Sequence, residues 1–208
     1  LAKLNIDFDL MRQSVDALIA RHGIDQSLLK NGYILEKIDE TAVLLKIKSP
    51  DSATSFRSQA YEIIEGIEME AAKRGELFDR TRELFQSLSG YGIRAGIITR
   101  NCMRAVQMVF PDVLLFSPVL VCRENVDKVK PHPNHLVRAL ELLESAPHRA
   151  IMVGDHPLDI QTGQNAGTLT AGVMTGHFRE DDFLKAGADV VIPHASDILM
   201  MLKRSALS

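Results

Sequence analysis

The stretch Ile151-Met152-Val153-Gly154-Asp155-His156-Pro157-Leu158-Asp159-Ile160 decides how the rest of the chain is read. A short apolar run ends in Gly-Asp, a turn follows, and a second aspartate comes four residues after the first. That order predicts a buried strand whose end presents one carboxylate, with another at the mouth of the next helix. In open α/β sheets, ligands bind outside the carboxyl ends of the strands. A carboxylate placed there suits a hard cation such as Mg²⁺, which takes oxygen ligands and shares its shell with phosphate. The same order also describes a plain strand-to-helix turn in which Asp155 caps the helix. The stretch alone leaves both readings open.

Working outward, the pattern around it repeats. Apolar runs over residues 93–99, 119–122, 150–153, 169–174 and 189–192 read as strands. Between them, helical spacing marks residues 81–88, 103–110, 133–143, 159–166, 181–186 and 197–203. Leu136, Leu140 and Leu143 share one face of such a helix, and Pro133 suits its first turn. Strands alternating with helices imply βαβ units and a parallel sheet covered on both faces. Right-handed crossovers then bring every strand's carboxyl end to one edge. The first third differs. Phe8, Met11, Val15, Leu18 and Ile19 have helical spacing, closed by Gly23. Leu35, Ile38, Ala42 and Leu45 suggest a second helix, although Val43, Leu44 and Ile47 leave a strand open. Ser49-Pro50-Asp51-Ser52 is a break, and Ala60, Ile63, Ile64, Ile67 and Ala71 mark a long third helix before Gly75.

Composition bounds the function. The chain has 208 residues, 46% hydrophobic and 25% charged, with net charge −3, which suits a soluble protein of one or two domains. No basic run with interleaved aromatics points to nucleic acid. No apolar run is long enough to span a bilayer, and no secretory signal pattern is present. Cys102 and Cys122 are too far apart for a CxxC pair, so a reducing cytoplasm is the expected setting. His132 and His135 lie near each other but lack further ligands at metal-binding spacing, and His132 and His156 read as surface or turn groups.

At the strand ends a set of polar groups accumulates. One strand ends in Thr99-Arg100-Asn101, Lys130-Pro131 precedes the helix at Pro133, and the opening stretch ends in Asp155 with Asp159 beyond it. A hydroxyl with neighbouring N–H groups, a cation and paired carboxylates are what phosphoryl transfer needs, because charge on the migrating group must be met by donors and cations. Each residue also has a plainer reading. Thr99 caps a helix, Lys130 is a solvated lysine, and Arg100 and Asn101 are turn residues.

Ile97-Ile98-Thr99-Arg100-Asn101, Lys130-Pro131-His132-Pro133 and Gly154-Asp155-His156-Pro157-Leu158-Asp159 together resemble the second, third and fourth motifs of the haloacid dehalogenase (HAD) superfamily, most nearly its phosphoglycolate-phosphatase-like members. The resemblance implies an α/β fold: a Rossmann-like core over residues 1–6 and 79–208, with an α-helical cap inserted over residues 7–78. It implies a Mg²⁺-dependent phosphatase acting on a small phosphorylated metabolite through an aspartyl-phosphate. Thr99 would bind the phosphoryl group, with Arg100 and Asn101 beside it. Lys130 would stabilise nucleophile and phosphate. Asp155 would ligate Mg²⁺, and Asp159 would support the metal shell or orient Lys130.

The family's first motif, a strand ending in Asp-x-Asp-Gly-Thr that supplies the nucleophile, has no match here. Asp7-Phe8-Asp9 is a poor candidate: Lys3 and Asn5 interrupt any strand before it, and Leu10-Met11 follows where Gly-Thr belongs. The resemblance therefore implies that the central first strand and its nucleophile lie upstream of Leu1. Without that strand its two neighbours would leave backbone groups unpaired in the core. Other readings remain: a phosphomutase, a metal-free dehalogenase, or a catalytically inactive module that binds a phosphorylated ligand or a protein. A dinucleotide-binding protein is disfavoured, since no G-x-G-x-x-G follows any strand.

Overall fold

The computed structural model describes residues 1–30 and 32–205. The chain divides into two units, Leu4–Gly75 and Leu1–Lys3 with Glu76–Ser208.

The first unit is helical. Helix α1 (Phe8–Arg21) opens on Asp7, whose carboxylate accepts the Leu10 N–H at 2.8 Å, and Gly23 follows it at φ +68°. Asp7 is thus a helix cap rather than the end of a strand. Helix α2 (Ile34–Lys48) takes up the whole segment that had left a strand open. Its buried residues Leu35, Ile38, Ala42 and Leu45 keep helical spacing, while Val43 and Ile47 are exposed. Helix α3 (Pro50–Ala72) begins well before Ala60. Ser49 caps it and Pro50 sits in its first turn, so the predicted break is only a tight joint. Ala53 and Phe56 carry the apolar face back to that joint. Phe56, Ala60 and Ile64 are buried with Leu18, Ile19 and Ile38.

The second unit is α/β. Two short strands, β1 (Ala2–Lys3) and β2 (Glu76–Leu77), pair antiparallel. Helix α4 (Thr81–Gly90) leads to β3 (Gly96–Ile98), α5 (Met103–Val109), α6 (Val113–Phe116) and β4 (Val119–Val121). Helix α7 (Asn134–Leu142), β5 (Ile151–Gly154), α8 (Pro157–Ala166), β6 (Leu169–Val173), α9 (Glu180–Lys185), β7 (Val190–Ile192) and α10 (Ile198–Ser205) complete it. This is the expected alternation, with parallel ladders of Rossmann type. The parallel strands form two ladders, β3-β4 and β5-β6-β7.

Among the described residues β3 pairs only with β4, and β5 only with β6. Each therefore has one edge without a ladder. Burial agrees: every residue of β4 is buried, no residue of β3 is, and only Met152 is buried in β5. Packing still ties the ladders together. On α4, Leu84 packs with Ala171, Val173 and Ile192, while its neighbour Phe85 packs with Phe110 and Leu120. Leu136 and Leu140 of α7 gather Met152 of β5 and Ile98 of β3 into one apolar cluster. The carboxyl ends of β3, β4 and β5 consequently carry Thr99, the loop to Lys130 and Asp155. No helix among the described residues is long and apolar enough to cross a membrane.

Candidate active site

Thr99 follows β3, and its N–H donates to the Val121 carbonyl at 3.0 Å, extending the ladder by one bond. Its hydroxyl oxygen accepts the Asn101 N–H at 3.2 Å, which leaves the hydroxyl proton free to donate elsewhere. Thr99 does not cap the next helix, for Cys102 does that, its Sγ accepting the Ala105 N–H.

Lys130 is held from several sides. Its Nζ lies 2.6 Å from Asp159 Oδ1, in an ion pair whose side chains keep only 14% and 6% exposure. Its carbonyl accepts from the Arg100 guanidinium, and its N–H donates to His135 Nδ1 at 3.2 Å. The Pro131 carbonyl accepts the Asn165 amide at 3.0 Å. Arg123, buried at the end of β4, donates to the Arg100 carbonyl at 3.3 Å. Lys130 therefore reaches across from the β4 side to the β5 side of the site.

The two aspartates of the opening stretch are not equivalent. His156, not Asp155, is the N-cap of α8: its Nδ1 accepts the Leu158 N–H at 3.0 Å. Asp159 completes a capping box, its Oδ2 accepting the His156 N–H at 3.2 Å while Oδ1 meets Lys130. Both Asp159 oxygens are engaged and the residue is buried. Gly154 makes this possible. A Cβ there would lie 2.1 Å from Asp159 Oδ2, so the carboxylate occupies the space a side chain would need. Asp155 is exposed, and no hydrogen bond or ion pair within the described residues involves its carboxylate. Burial pushes His156 below its ordinary value, against the pull of Asp159 and Asp155, and its ring meets Phe178 edge-on at 4.5 Å.

Among the described residues no cluster of three or more His, Cys, Asp or Glu side chains could hold a metal ion. A cation on this edge would rest on few protein oxygens. That fits Mg²⁺, which keeps several waters and binds through one or two carboxylates plus phosphate. Asp155 is the carboxylate free to serve.

Thr99, Arg100, Asn101, Lys130, Asp155 and Asp159 all belong to this one edge. Arg100 reaches it as a brace on the Lys130 carbonyl. The sequence reading missed three supports: Arg123, Asn165 and above all His135. His135 is fully buried on α7, and its Nε2 is 2.9 Å from the Val121 carbonyl. Burial lowers its pKa to about 4, outweighing the hydrogen bond to Val121 that raises it. Extending the buried face of Leu136 and Leu140 back one residue would have signalled it.

The profile of the family described as Haloacid dehalogenase-like hydrolase matches residues 14–173. The pyrophosphatase PpaX of Bacillus cereus is 38% identical over 130 residues, a match covering 61% of this chain and 60% of that protein. The chain thus spans about three fifths of the length of that relative. Among solved structures, CbbY of Rhodobacter sphaeroides in complex with phosphate superposes with a TM-score of 0.62 at 19% identity, over 94% of this chain and 92% of its own. A haloacid dehalogenase-like family protein of Streptococcus pneumoniae gives a TM-score of 0.58 at 16% identity, over 92% and 90%. At these identities the superpositions establish the fold.

Proposed function

The chain belongs to the haloacid dehalogenase-like hydrolases, and from that premise we propose that it is a Mg²⁺-dependent phosphatase acting on a small phosphate monoester, phosphoglycolate-like or a sugar phosphate. The observation that carries the reading is the buried Lys130–Asp159 ion pair, which joins the two ladders at the edge where Thr99 and the unengaged Asp155 also sit.

The residues divide the work as follows. The Thr99 hydroxyl, already oriented by the Asn101 N–H, donates to a phosphoryl oxygen. The Lys130 ammonium, held in place by Asp159, offsets charge on the phosphoryl group and on the attacking carboxylate. Asp155 would hold Mg²⁺, which when bound supplies further neutralisation of phosphate charge. The attacking carboxylate is assigned to a strand between β3 and β5, on a residue outside Leu1–Ser208. The unpaired edges of those two strands support that assignment. The carboxylate forms an aspartyl-phosphate as the ester P–O bond breaks, a partner aspartic acid assigned to the same segment protonates the leaving oxygen, and water then hydrolyses the aspartyl-phosphate to release phosphate. We assign the choice among esters to the helical unit.

The test is hydrolysis by the full-length protein of sugar phosphates, phosphoglycolate and nucleotides, with and without Mg²⁺. The name of the Bacillus cereus relative adds inorganic pyrophosphate to the panel. Lys130→Ala and Asp155→Ala should each lower turnover by more than about tenfold, since each removes a transition-state interaction. Near wild-type turnover in both would refute the roles. No turnover on any member would favour the inactive phospho-ligand-binding reading, and group transfer without net release of phosphate would favour the phosphomutase.

A further inference from the structure

We infer that His135 is a positioning residue: its imidazole bridges the Lys130 N–H to the Val121 carbonyl and so holds Lys130 in register with Thr99. The inference rests on the phosphoryl-transfer reading of this edge and deepens it.

Four bonds carry it. The Lys130 N–H donates to His135 Nδ1 at 3.2 Å. A ring nitrogen that accepts a hydrogen bond carries no proton, so the proton sits on Nε2. Nε2–H therefore donates to the Val121 carbonyl, 2.9 Å away. That same carbonyl accepts the Thr99 N–H at 3.0 Å. A single carbonyl at the end of β4 thus anchors the residue that follows β3 and, through the imidazole, the residue whose ammonium meets Asp159. The Arg100 bond to the Lys130 carbonyl closes the arrangement from the other side of the same residue.

The chemistry explains why an imidazole occupies the position. The bridge needs an acceptor and a donor held apart on one rigid, planar group, at a position with no exposure to solvent. A neutral histidine offers that pair, and burial keeps it neutral, with the pKa near 4. Without the bridge, the backbone at Lys130 would regain freedom, and the ammonium it carries would shift relative to Thr99. A displacement of about 1 Å in such a group is enough to cost about a hundredfold in rate.

Two conservative variants separate the halves of the bridge. His135→Asn keeps an acceptor where Nδ1 stands and loses the donor to Val121. His135→Gln keeps a donor where Nε2 stands and loses the acceptor for Lys130. Both enter the same buried space. Each variant breaks one half of the bridge, so in the full-length protein kcat of both should fall by at least about tenfold with KM within about threefold. Imidazole ¹⁵N shifts at pH 7 should report the Nε2–H tautomer in the wild-type protein.

If either variant keeps kcat within about threefold of wild type, or if kcat falls only as far as the melting temperature falls, His135 is a packing residue and the inference fails while the phosphatase reading stands. An Nδ1–H or doubly protonated ring also overturns it. A wild-type protein that hydrolyses nothing overturns the phosphatase reading, and this inference with it.

Discussion

Asp159→Asn should destabilise the α/β unit far more than removing a surface charge would. The carboxylate lies 2.6 Å from Lys130 Nζ, with 6% and 14% of the two side chains exposed. At an effective dielectric of about 20, attraction at that distance is about 6 kcal/mol in gross terms. Desolvating both groups offsets most of it, so the pair need not stabilise the fold against an apolar alternative. Removing one partner is different, because the other stays desolvated without compensation, at a cost of about 3–5 kcal/mol. Lys130 keeps some access to solvent, so the lower end applies, about 3 kcal/mol. Asparagine retains an oxygen for the His156 N–H, so the α8 cap is not part of that loss. For a chain of this size the corresponding fall in Tm is about 6–12 °C. Urea unfolding and calorimetry measure it. Lys130→Met should cost a similar amount, while Lys130→Met with Asp159→Leu should cost less than either single change, yet hydrolyse nothing. Single losses below about 1 kcal/mol that simply add would mean the pair behaves like an exposed one, and would refute the reasoning.

Gly154→Ala should act on the same pair from beneath: the new methyl would stand 2.1 Å from Asp159 Oδ2, and displacing that carboxylate should cost about 3 kcal/mol and most of the turnover, read by urea midpoint and phosphate release. Asp155→Asn should leave the urea midpoint within about 0.5 kcal/mol of wild type, because its carboxylate is exposed and unengaged, while Mg²⁺ affinity by calorimetric titration falls. Acid should weaken the fold through His135, whose pKa lies near 4 in the folded chain and near 6.5 when unfolded. Between those values the unfolded chain binds the extra proton, so this contribution is complete above about pH 6.5 and lost as pH falls toward 4, about 3 kcal/mol in all. Stability from pH 7 to pH 4.5 should therefore fall less steeply in His135→Asn than in the wild type, and equal slopes would contradict the burial argument.

Legibility in the sequence followed from how local each signal is. The alternation after Thr81 was readable because strand and helix periods differ and glycines punctuate them, as at Gly167 and Gly187, both at positive φ. Helix α2 was ambiguous because Val43 and Ile47 are apolar yet exposed, and only the tertiary placement of α1 and α3 decides which face is buried. The strand expected over residues 93–99 is short for a non-local reason: with one edge unpaired, only Gly96–Ile98 is held in a ladder. Thr99, Lys130, Asp155 and Asp159 stood out because charged or hydroxyl groups at the ends of apolar runs are conspicuous. His135 did not, because its partners lie 5 and 14 residues away and become neighbours only when α7 packs on β4.

The two aspartates show what spacing alone leaves undecided. Asp155 and Asp159 read in sequence as a pair of potential metal ligands. In the fold the glycine before Asp155 removes the side chain that would exclude the Asp159 carboxylate from beneath the strand end. Asp159 thereby becomes buried, caps α8 and neutralises Lys130, which uses both of its oxygens within the protein. Asp155, one residue after that glycine, is left on the open side with neither partner. A strand that ends in a glycine, followed by a helix that returns a carboxylate at its third position, thus converts two identical side chains into a fixed structural anion and a free one. The Lys130 charge is then held in place by protein, and the Asp155 carboxylate is left exposed at the strand end.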